Sequence, residues 1–299
     1  MRPLKLNKYK LMKSIIYLLI LFFAFQLSYS QSLERQVIST SGETLSNSSN
    51  RLDFTVGELV VNTITNGYVL TQGFQQGELI LSIKLNPKLF LQGPINAPAS
   101  ASLMNDDLRA GGLIPTTSPY PDGLSVNTLV FTPTGSDAIV DWVFVALRDG
   151  LDNSIIVESK SALLQRDGDV VSIDGISELS FSQSSGNYYV AINHRNHLGI
   201  LSAATVALSS VTTLVDLSAD PIAVLGGTNA LIDMGSGIFA MYGGDANGDG
   251  QILNTDISEA LLLTGTAGYS GSDSDLNGQI LNTDITLIIQ PNAGKAQQY

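Results

Sequence analysis

The chain of 299 residues contains no cysteine, only two histidines and a single tryptophan. Without cysteine it can form no disulfide bond and has no thiol nucleophile. An exported protein of this composition therefore has to take its stability from buried apolar surface or from bound metal.

Positive charge is scarce after the first thirty residues. Five of the 15 Lys and Arg residues, and none of the 27 Asp and Glu residues, lie in residues 1–30, so the remainder has a net charge of −17. A surface of this charge repels nucleic acid and anionic lipid and attracts cations. We therefore expect no nucleic-acid partner.

Long apolar runs are absent apart from one near the N-terminus. The thirteen residues Ile15–Leu27 follow five basic residues and precede the small residues of "SYS". A membrane span needs about 20 apolar residues, whereas this pattern is typical of a secretory signal peptide with cleavage after Ser30. We expect residues 1–30 to be removed, and the protein to be secreted or held at the cell surface without an integral membrane segment.

Residues 31–82 are predicted to be an N-terminal β-strand segment. They contain β-branched runs separated by Gly, Asn and Ser, a composition that favours short strands and turns. The words "GELVVNT" and "LTQGFQQ" resemble a short segment that recurs in exported proteins of Bacteroidetes.

Residues 83–242 are predicted to form an antiparallel β-sandwich domain, so that the fold class is mainly β. Six or more apolar stretches are bounded by Gly, Asp, Asn and Pro, and Val140, Trp142 and Phe144 alternate with period two. Strands spaced in this way without intervening helices are typical of a sandwich. The pieces "KLFLQGP", "DWVFVALRD", "LLQRDGDVV" and "HRNHLG" resemble a β-rich module found beside dockerin-like repeats, for which no activity is implied.

Residues 243–299 contain one loop pattern written twice. "DANGDGQILNTD" begins at Asp245 and "DSDLNGQILNTD" begins at Asp273. In each, side-chain oxygens fall at positions 1, 3, 5 and 12, and glycine at position 6 permits a sharp turn. A hard cation such as calcium takes six to eight oxygens from alternate positions of a flexible loop, including the carbonyl at position 7. Ordinary polar turns are the alternative, since Asp, Asn and Gly also form these.

A helical pattern follows each loop. After the first loop, Ile257, Ala260, Leu261 and Thr264 fall on one helical face. After the second, three isoleucines precede Pro291, which is expected to end the helix: Ile285, Ile288 and Ile289. Each unit is thus a loop followed by one helix, without a helix before the loop.

Two such units with Asp at position 12 resemble a type I dockerin, a small α-helical calcium-binding module that docks onto cohesins. The resemblance covers residues 243–299 and implies two calcium ions. It departs at position 9, where Leu253 and Leu281 replace a polar residue, while positions 10 and 11 read Asn-Thr in both loops. The implied ligands are Asp245, Asn247, Asp249, Gln251 and Asp256 for one ion, and Asp273, Asp275, Asn277, Gln279 and Asp284 for the other.

Enzyme chemistry has few candidate residues. His194 and His197 could share a zinc ion only if the segment turns, because residues three apart on a strand face opposite sides; polar groups at a strand end are the simpler interpretation. Glycoside hydrolysis needs two carboxylates across a cleft. The acidic candidates are Asp141, Asp149 and Glu158, and an aromatic sugar platform could use Trp142, Tyr188 and Tyr189.

The sequence therefore predicts an exported, non-catalytic protein that binds calcium through a dockerin-like module and acts in adhesion or protein assembly. Its expected partner is a cohesin-like or other surface protein. The alternative is a polysaccharide-degrading enzyme or a carbohydrate-binding component of a degradative complex, with polysaccharide as the partner.

Overall fold

The structure is a computed structural model that describes residues 82–95 and 103–299, together with the backbone of four short strands nearer the N-terminus. The predicted signal peptide, residues 1–30, lies outside the described residues, as does most of residues 31–82. The four strands form two antiparallel pairs. They are β1 (Ser41–Ser46) with β2 (Arg51–Val56), and β3 (Ile64–Thr65) with β4 (Val69–Leu70).

The residues described from 82 onward belong to one compact unit, Glu78–Tyr299. The compact unit is mostly β-structure with few helices. Its strands are β5 (Ile83–Lys88), β6 (Ile139–Asp149), β7 (Ile156–Gln165), β8 (Val170–Val171), β9 (Leu179–Phe181), β10 (Gly186–Asn193), β11 (Ile200–Leu201), β12 (Val206–Leu208), β13 (Thr213–Asp216), β14 (Leu231–Asp233) and β15 (Phe239–Met241).

Two sheets supply most of the core. The larger has the order β11-β10-β6-β7-β8, with β12 also paired to β10, and all its pairs are antiparallel. The smaller has the order β13-β5-β9, in which β5 is antiparallel to β9 but parallel to β13. The predicted antiparallel β-rich fold is therefore confirmed, with one parallel pair. A β14–β15 hairpin stands beside these sheets.

The hydrophobic core joins both sheets. In β5, buried Ile83 and Leu85 alternate with partly exposed neighbours, as expected for a strand covered on one face. In β6, nearly every residue from Ile139 to Leu147 is buried, including the fully buried Trp142. The period-two interpretation of β6 was therefore wrong, because this central strand is covered on both faces.

The helices are short. They are α1 (Asp107–Ala110), α2 (Asn254–Leu263) and a π-helical segment (Asp284–Ile289) that continues into α3 (Gln290–Asn292). The second helical run passes Pro291 by one residue instead of stopping there. Four single 3₁₀ turns connect other elements: Thr128–Phe131, Gly135–Asp137, Pro221–Ala223 and Gly227–Asn229. No helix within the described ranges is long and apolar enough to cross a bilayer.

The helix after each repeated loop buries a different amount of surface. In the second run Ile285, Ile288 and Ile289 are all buried, as predicted. In α2 only Ala260 of the predicted apolar face is buried, whereas Leu261 is 56% exposed. That part of the prediction was wrong, because only Ala260 and the half-buried Ile257 of this face pack against the hydrophobic cluster.

Candidate metal centre

The two repeated loops, hereafter loop one (residues 245–256) and loop two (residues 273–284), fold in the same way. In loop one, Asp245 Oδ1 accepts the N–H of Asp249 (3.0 Å) and Oδ2 accepts that of Gly250 (3.0 Å). In loop two, Asp273 makes the equivalent bonds to Asn277 (3.1 Å) and Gly278 (2.9 Å). The residue at position 1 therefore organises the turn of both loops through the same two amides.

Positions 3 and 5 are also equivalent between the loops. The side-chain oxygen of Asn247 accepts the N–H of Asp249 (2.9 Å), and that of Asp275 accepts the N–H of Asn277 (3.1 Å). The next turn is closed by an oxygen at position 5, which accepts the N–H at position 7. These successive turns direct the side-chain oxygens of alternate residues toward the inside of each loop, the arrangement that suits a hard cation.

Position 12 closes each loop and starts the following helix. Asp256 Oδ2 accepts the N–H of Leu253 (2.8 Å), and Asp284 Oδ2 accepts that of Leu281 (2.8 Å). The other oxygen of Asp284 reaches back to the N–H groups of Ser274 (2.8 Å) and Asp275 (3.1 Å). A carboxylate at this point both ties the two ends of the loop together and caps the helix start.

The carbonyls at position 7 are free to bind a ligand. Gln251 and Gln279 have exposed side chains, and within the described residues their carbonyl oxygens accept no hydrogen bond. Position 8 instead pairs with neighbouring backbone: the N–H of Ile252 donates to Lys295 O (2.9 Å), and that of Ile280 donates to Thr266 O (2.9 Å). Each loop is thus held by a short backbone pairing immediately beside the carbonyl at position 7.

Loop two brings three carboxylates together. Oxygen atoms of Asp273, Asp275 and Asp284 all lie within 4.8 Å of one another, and this is the one such carboxylate or histidine cluster found in the described part of the chain. Loop one has Asn247 where loop two has Asp275, and its Asp249 is exposed. Its carboxylates do not approach one another as closely as those of loop two. The structure therefore shows loop two as the more compact of the two predicted sites.

Four acids of the loops have raised pKa values: Asp245, Asp273, Asp275 and Asp284. Burial raises the pKa of Asp273 to about 7, and the neighbouring carboxylates of Asp275 and Asp284 add to the rise. Burial and Asp284 raise the pKa of Asp275 to about 6, and burial raises that of Asp245 to about 6. Carboxylates held this close repel each other unless a cation lies between them.

These pKa values predict that calcium affinity falls in mild acid. Calcium binds the deprotonated carboxylates, so protons compete with it as the pH falls through about 7 and then about 6, the values of Asp273 and Asp275. Calorimetric titration at pH 7.5 and pH 5.5 should show affinity at least about tenfold weaker at the lower pH, since each unit below a pKa costs about tenfold. Carboxylates with ordinary pKa values would instead leave the affinity unchanged across this range.

Leu276, which the sequence interpretation did not single out, anchors loop two in the main core. It stands at position 4, has a φ of +59°, and is buried among the core residues of the sheets. The equivalent residue of loop one is Gly248, with a φ of +72°. A non-glycine residue pays for this left-handed backbone conformation, and the burial of the leucine side chain compensates for it.

Gly93 allows loop two to approach the β-structure closely. A Cβ atom at this residue would lie within van der Waals overlap of the carbonyl oxygen of Ser274. Glycine is thus required here for close backbone approach rather than for an unusual φ.

The ring nitrogens of the two histidines are engaged in hydrogen bonds. β10 ends at Asn193, and the segment then turns so that His194 Nδ1 and His197 Nδ1 lie 3.1 Å apart. Every ring nitrogen has a hydrogen-bond partner, because His194 Nε2 bonds Asp141 (3.1 Å) and His197 Nε2 accepts the N–H of Gly93 (3.3 Å). One consistent set of tautomers follows, with His197 protonated on Nδ1 and His194 on Nε2. The structural interpretation of these residues is therefore favoured over zinc.

Asp141 is the centre of a buried polar network. Its carboxylate accepts hydrogen bonds from Arg195 Nε (2.9 Å), Tyr269 OH (2.7 Å) and the N–H of Trp142 (2.7 Å). Burial alone would raise its pKa, but Arg195 and His194 outweigh burial and hold the pKa below the ordinary range. Burial lowers the pKa of His194, which favours its neutral form. Asp141 is thus a structural anion and does not face solvent.

The other residues considered for carbohydrate chemistry also make structural hydrogen bonds or pack against the core. Asp149 accepts the N–H groups of Leu151 (2.8 Å) and Asp152 (3.1 Å) in a turn, and Glu158 accepts the N–H of Ser182 (2.8 Å). Trp142 is fully buried, with its indole N–H on Pro115 O (2.9 Å). The remaining aromatics, Tyr188 and Tyr189, are half-buried and pack against hydrophobic clusters.

Comparison with known proteins finds only weak similarities. Neither a protein-family model nor a curated protein matches this chain. The solved structures that match include an N-terminal and a C-terminal interface mutant of a type II cohesin–X–dockerin complex from Acetivibrio cellulolyticus. The first is 17% identical with a TM-score of 0.33, covering 73% of this chain and 96% of that chain. The second is 16% identical with a TM-score of 0.36, covering 72% and 97%. Both similarities are too weak to transfer a fold or a function.

Proposed function

We propose that the protein is an exported, non-catalytic component that binds two calcium ions in loops one and two and uses the resulting module to assemble with a protein partner at the cell surface. The observation that carries the proposal is the repetition of the loop geometry. Side chains at positions 1, 3, 5 and 12 make the same backbone hydrogen bonds in both loops. Independent polar turns have no reason to match in this way.

The residues fit calcium in chemistry and placement. Loop two offers the clustered carboxylates of Asp273, Asp275 and Asp284, with Asn277 at position 5 and the free carbonyl of Gln279. Loop one offers the corresponding oxygens of Asp245, Asn247, Asp249, Gln251 and Asp256. Calcium, when bound, would neutralise these acids and hold position 12 against position 1. Since position 12 also caps the following helix, the ion would set the direction of that helix.

An apolar surface lies beside the loops. Leu253 and Leu281, the equivalent residues at position 9, are 41% and 37% exposed. Leu261, Leu262 and Leu287 on the following helical segments are more exposed still. The Asn-Thr pairs after both position-9 leucines are exposed as well. Exposed apolar residues grouped with polar ones are typical of a protein-docking surface, and the repeat offers a partner two equivalent faces.

The carbohydrate alternative receives no support from the described residues. Trp142 is buried, and the acids named for catalysis hold turns or the core. A surface groove of about 300 Å³ between β12 and β13 contains a single carboxylate, Asp216, whose Oδ1 accepts the N–H of Ser218 (2.8 Å). Glycoside hydrolysis needs two carboxylates facing each other.

The docking proposal predicts calcium-dependent capture of a partner. The full chain immobilised on beads should retain a specific protein from the secretome of its own source in calcium and release it in chelator. Changing Leu253 and Leu281 together to Asp should weaken capture by tenfold or more, because each leucine buried at an interface contributes about 1.5–3 kcal/mol. Each single change should have a smaller effect, since the other face remains.

The matched control is Leu151→Asp, which alters a fully exposed leucine outside the module. It should leave capture unchanged. Equal capture by the wild-type chain and the Leu253/Leu281 double variant, with calcium binding intact in both, would show that these leucines do not form the docking surface.

A further inference from the structure

One residue of the segment between β10 and β11, Asn196, forms hydrogen bonds at the start of both loops. The backbone carbonyl of Asn196 accepts the N–H groups of Gly244 (2.9 Å) and Asp245 (3.2 Å), at the start of loop one. The side-chain amide of Asn196 donates to Gly271 O (3.0 Å) and to Asp273 O (2.7 Å), at the start of loop two. Asn196 therefore holds the backbone of both position-1 residues, Asp245 and Asp273.

Asn196 is itself held in place. It is fully buried, and its side-chain oxygen bonds His197 Nδ1 (2.8 Å). The preceding Arg195 bonds Asp141 in β6 (2.9 Å), donates to Ser270 O and lies over the ring of Tyr269. The amide is thus oriented by the buried network that includes His197, Arg195 and Asp141.

We infer that Asn196 is a positioning residue shared by the two metal loops, and that its side-chain amide makes binding of calcium at the two loops cooperative. The inference rests on the proposed function, since it requires both loops to bind calcium. Binding at one loop orders its position-1 backbone, and that order reaches the other loop through a single rigid residue. The second ion then binds a site that is already partly ordered, so its binding costs less conformational entropy.

The chain just before loop two also touches loop one directly. Gly271 lies so close to the carbonyl of Ala246 that a Cβ atom would overlap it. This contact offers a second route for coupling. Because the Asn196 amide also donates to Gly271 O (3.0 Å), a variant at Asn196 removes one support of this contact together with the direct bond to loop two.

Calcium titration of the full chain tests the inference. The wild-type chain should bind two ions with a Hill coefficient clearly above 1. Asn196→Ala removes the bonds to Gly271 and Asp273 but keeps the backbone bonds to loop one. This variant should still bind two ions, with a Hill coefficient near 1 and about tenfold weaker binding at loop two, the loss expected from two hydrogen bonds to backbone carbonyls. Fluorescence of the single, buried Trp142 confirms that the sheets remain folded.

The control is Asn292→Ala. Asn292 is also buried, and its amide donates to Gln92 Oε1 (2.6 Å) and Gly243 O (2.7 Å), but it does not join the two position-1 residues. Its loss should lower stability without changing the Hill coefficient. Equal loss of cooperativity in both variants would mean that general loosening of the module is responsible, and would overturn the role given to Asn196.

A second measurement keeps Asn196 unchanged. In the variant Asp245→Ala, loop one is disabled, and calcium can bind only to loop two. Calcium should then slow hydrogen exchange of the Gly244 amide, which donates to Asn196 O. Unchanged exchange with loop two occupied, or independent binding by the wild-type chain, would refute the coupling. Absence of any calcium binding by the wild-type chain would instead refute the proposed function itself.

Discussion

Removal of calcium is expected to abolish the ordered structure of α2 and of the helical run Asp284–Asn292. The small hydrophobic cluster at the base of the module takes only four buried residues from the module itself, namely Ile252, Ala260, Ile285 and Ile289, and Leu198 and Tyr242 from the β-rich part. A cluster of this size cannot hold about 55 residues on its own. Without a cation the acids of both loops also repel one another. An ion present at a thousand times its Kd contributes about 4 kcal/mol per site, so we expect bound calcium to supply much of the stability of this region.

The measurement is thermal unfolding of the full chain by circular dichroism at 222 nm and by Trp142 fluorescence, with calcium and with chelator. Chelation should remove the helical signal at low temperature. The Trp142 transition should persist but shift to lower temperature, because Leu276 of loop two belongs to the core of the sheets.

Changing Asp245 and Asp273 together to Ala should reproduce chelation, and each single change should give a partial effect. Asp174→Ala is a suitable control, because Asp174 holds an exposed turn remote in sequence from both loops. Identical helical signals in calcium and in chelator would show that the repeated loops are only turns.

Replacement of Asp141 by Ala is expected to destabilise the protein by about 3–5 kcal/mol, the cost of leaving a buried ionic partner uncompensated. Arg195 would keep its charge in a buried position, and Tyr269 and His194 would each lose a hydrogen-bond partner. Because Arg195 also supports the segment that holds both loops, calcium affinity should fall in the same variant.

Denaturant unfolding followed by Trp142 fluorescence and circular dichroism gives the free energy of unfolding. The control is Asp149→Ala at the far end of the same strand, where the carboxylate only closes a turn. This change should cost about 1 kcal/mol, the usual contribution of such hydrogen bonds. Equal losses in the two variants would show that the buried network contributes no more than a surface turn.

The two repeated loops show which features of the structure can be predicted from neighbouring residues alone. Spacing of Asp, Asn and Gly specified which residues turn inward in each loop, since these side chains bond amides only two to five residues away. For the same reason the presence of a helix directly after each loop could be predicted from the chain. Calcium binding remains a prediction drawn from that pattern.

Burial was harder to predict. The alternation in β6 suggested one covered face, but both are covered, because loops and the C-terminal residues pack on the side that the smaller sheet leaves open. Phe144, for example, stacks on Tyr120 with ring centroids 5.2 Å apart. A strand does not encode how many layers will cover it.

The amino-acid sequence by itself determined the β-rich class, the two loops and their inward-facing oxygens, because each depends on residues close together in the chain. Only the tertiary structure decided that Leu276 enters the main core, that Asp141 is neutralised by Arg195, and that Asn196 joins both loops. The partners of these three residues lie tens to more than a hundred positions away. Contacts of that kind arise from the packing of whole elements and leave no periodic signal in the residues that make them.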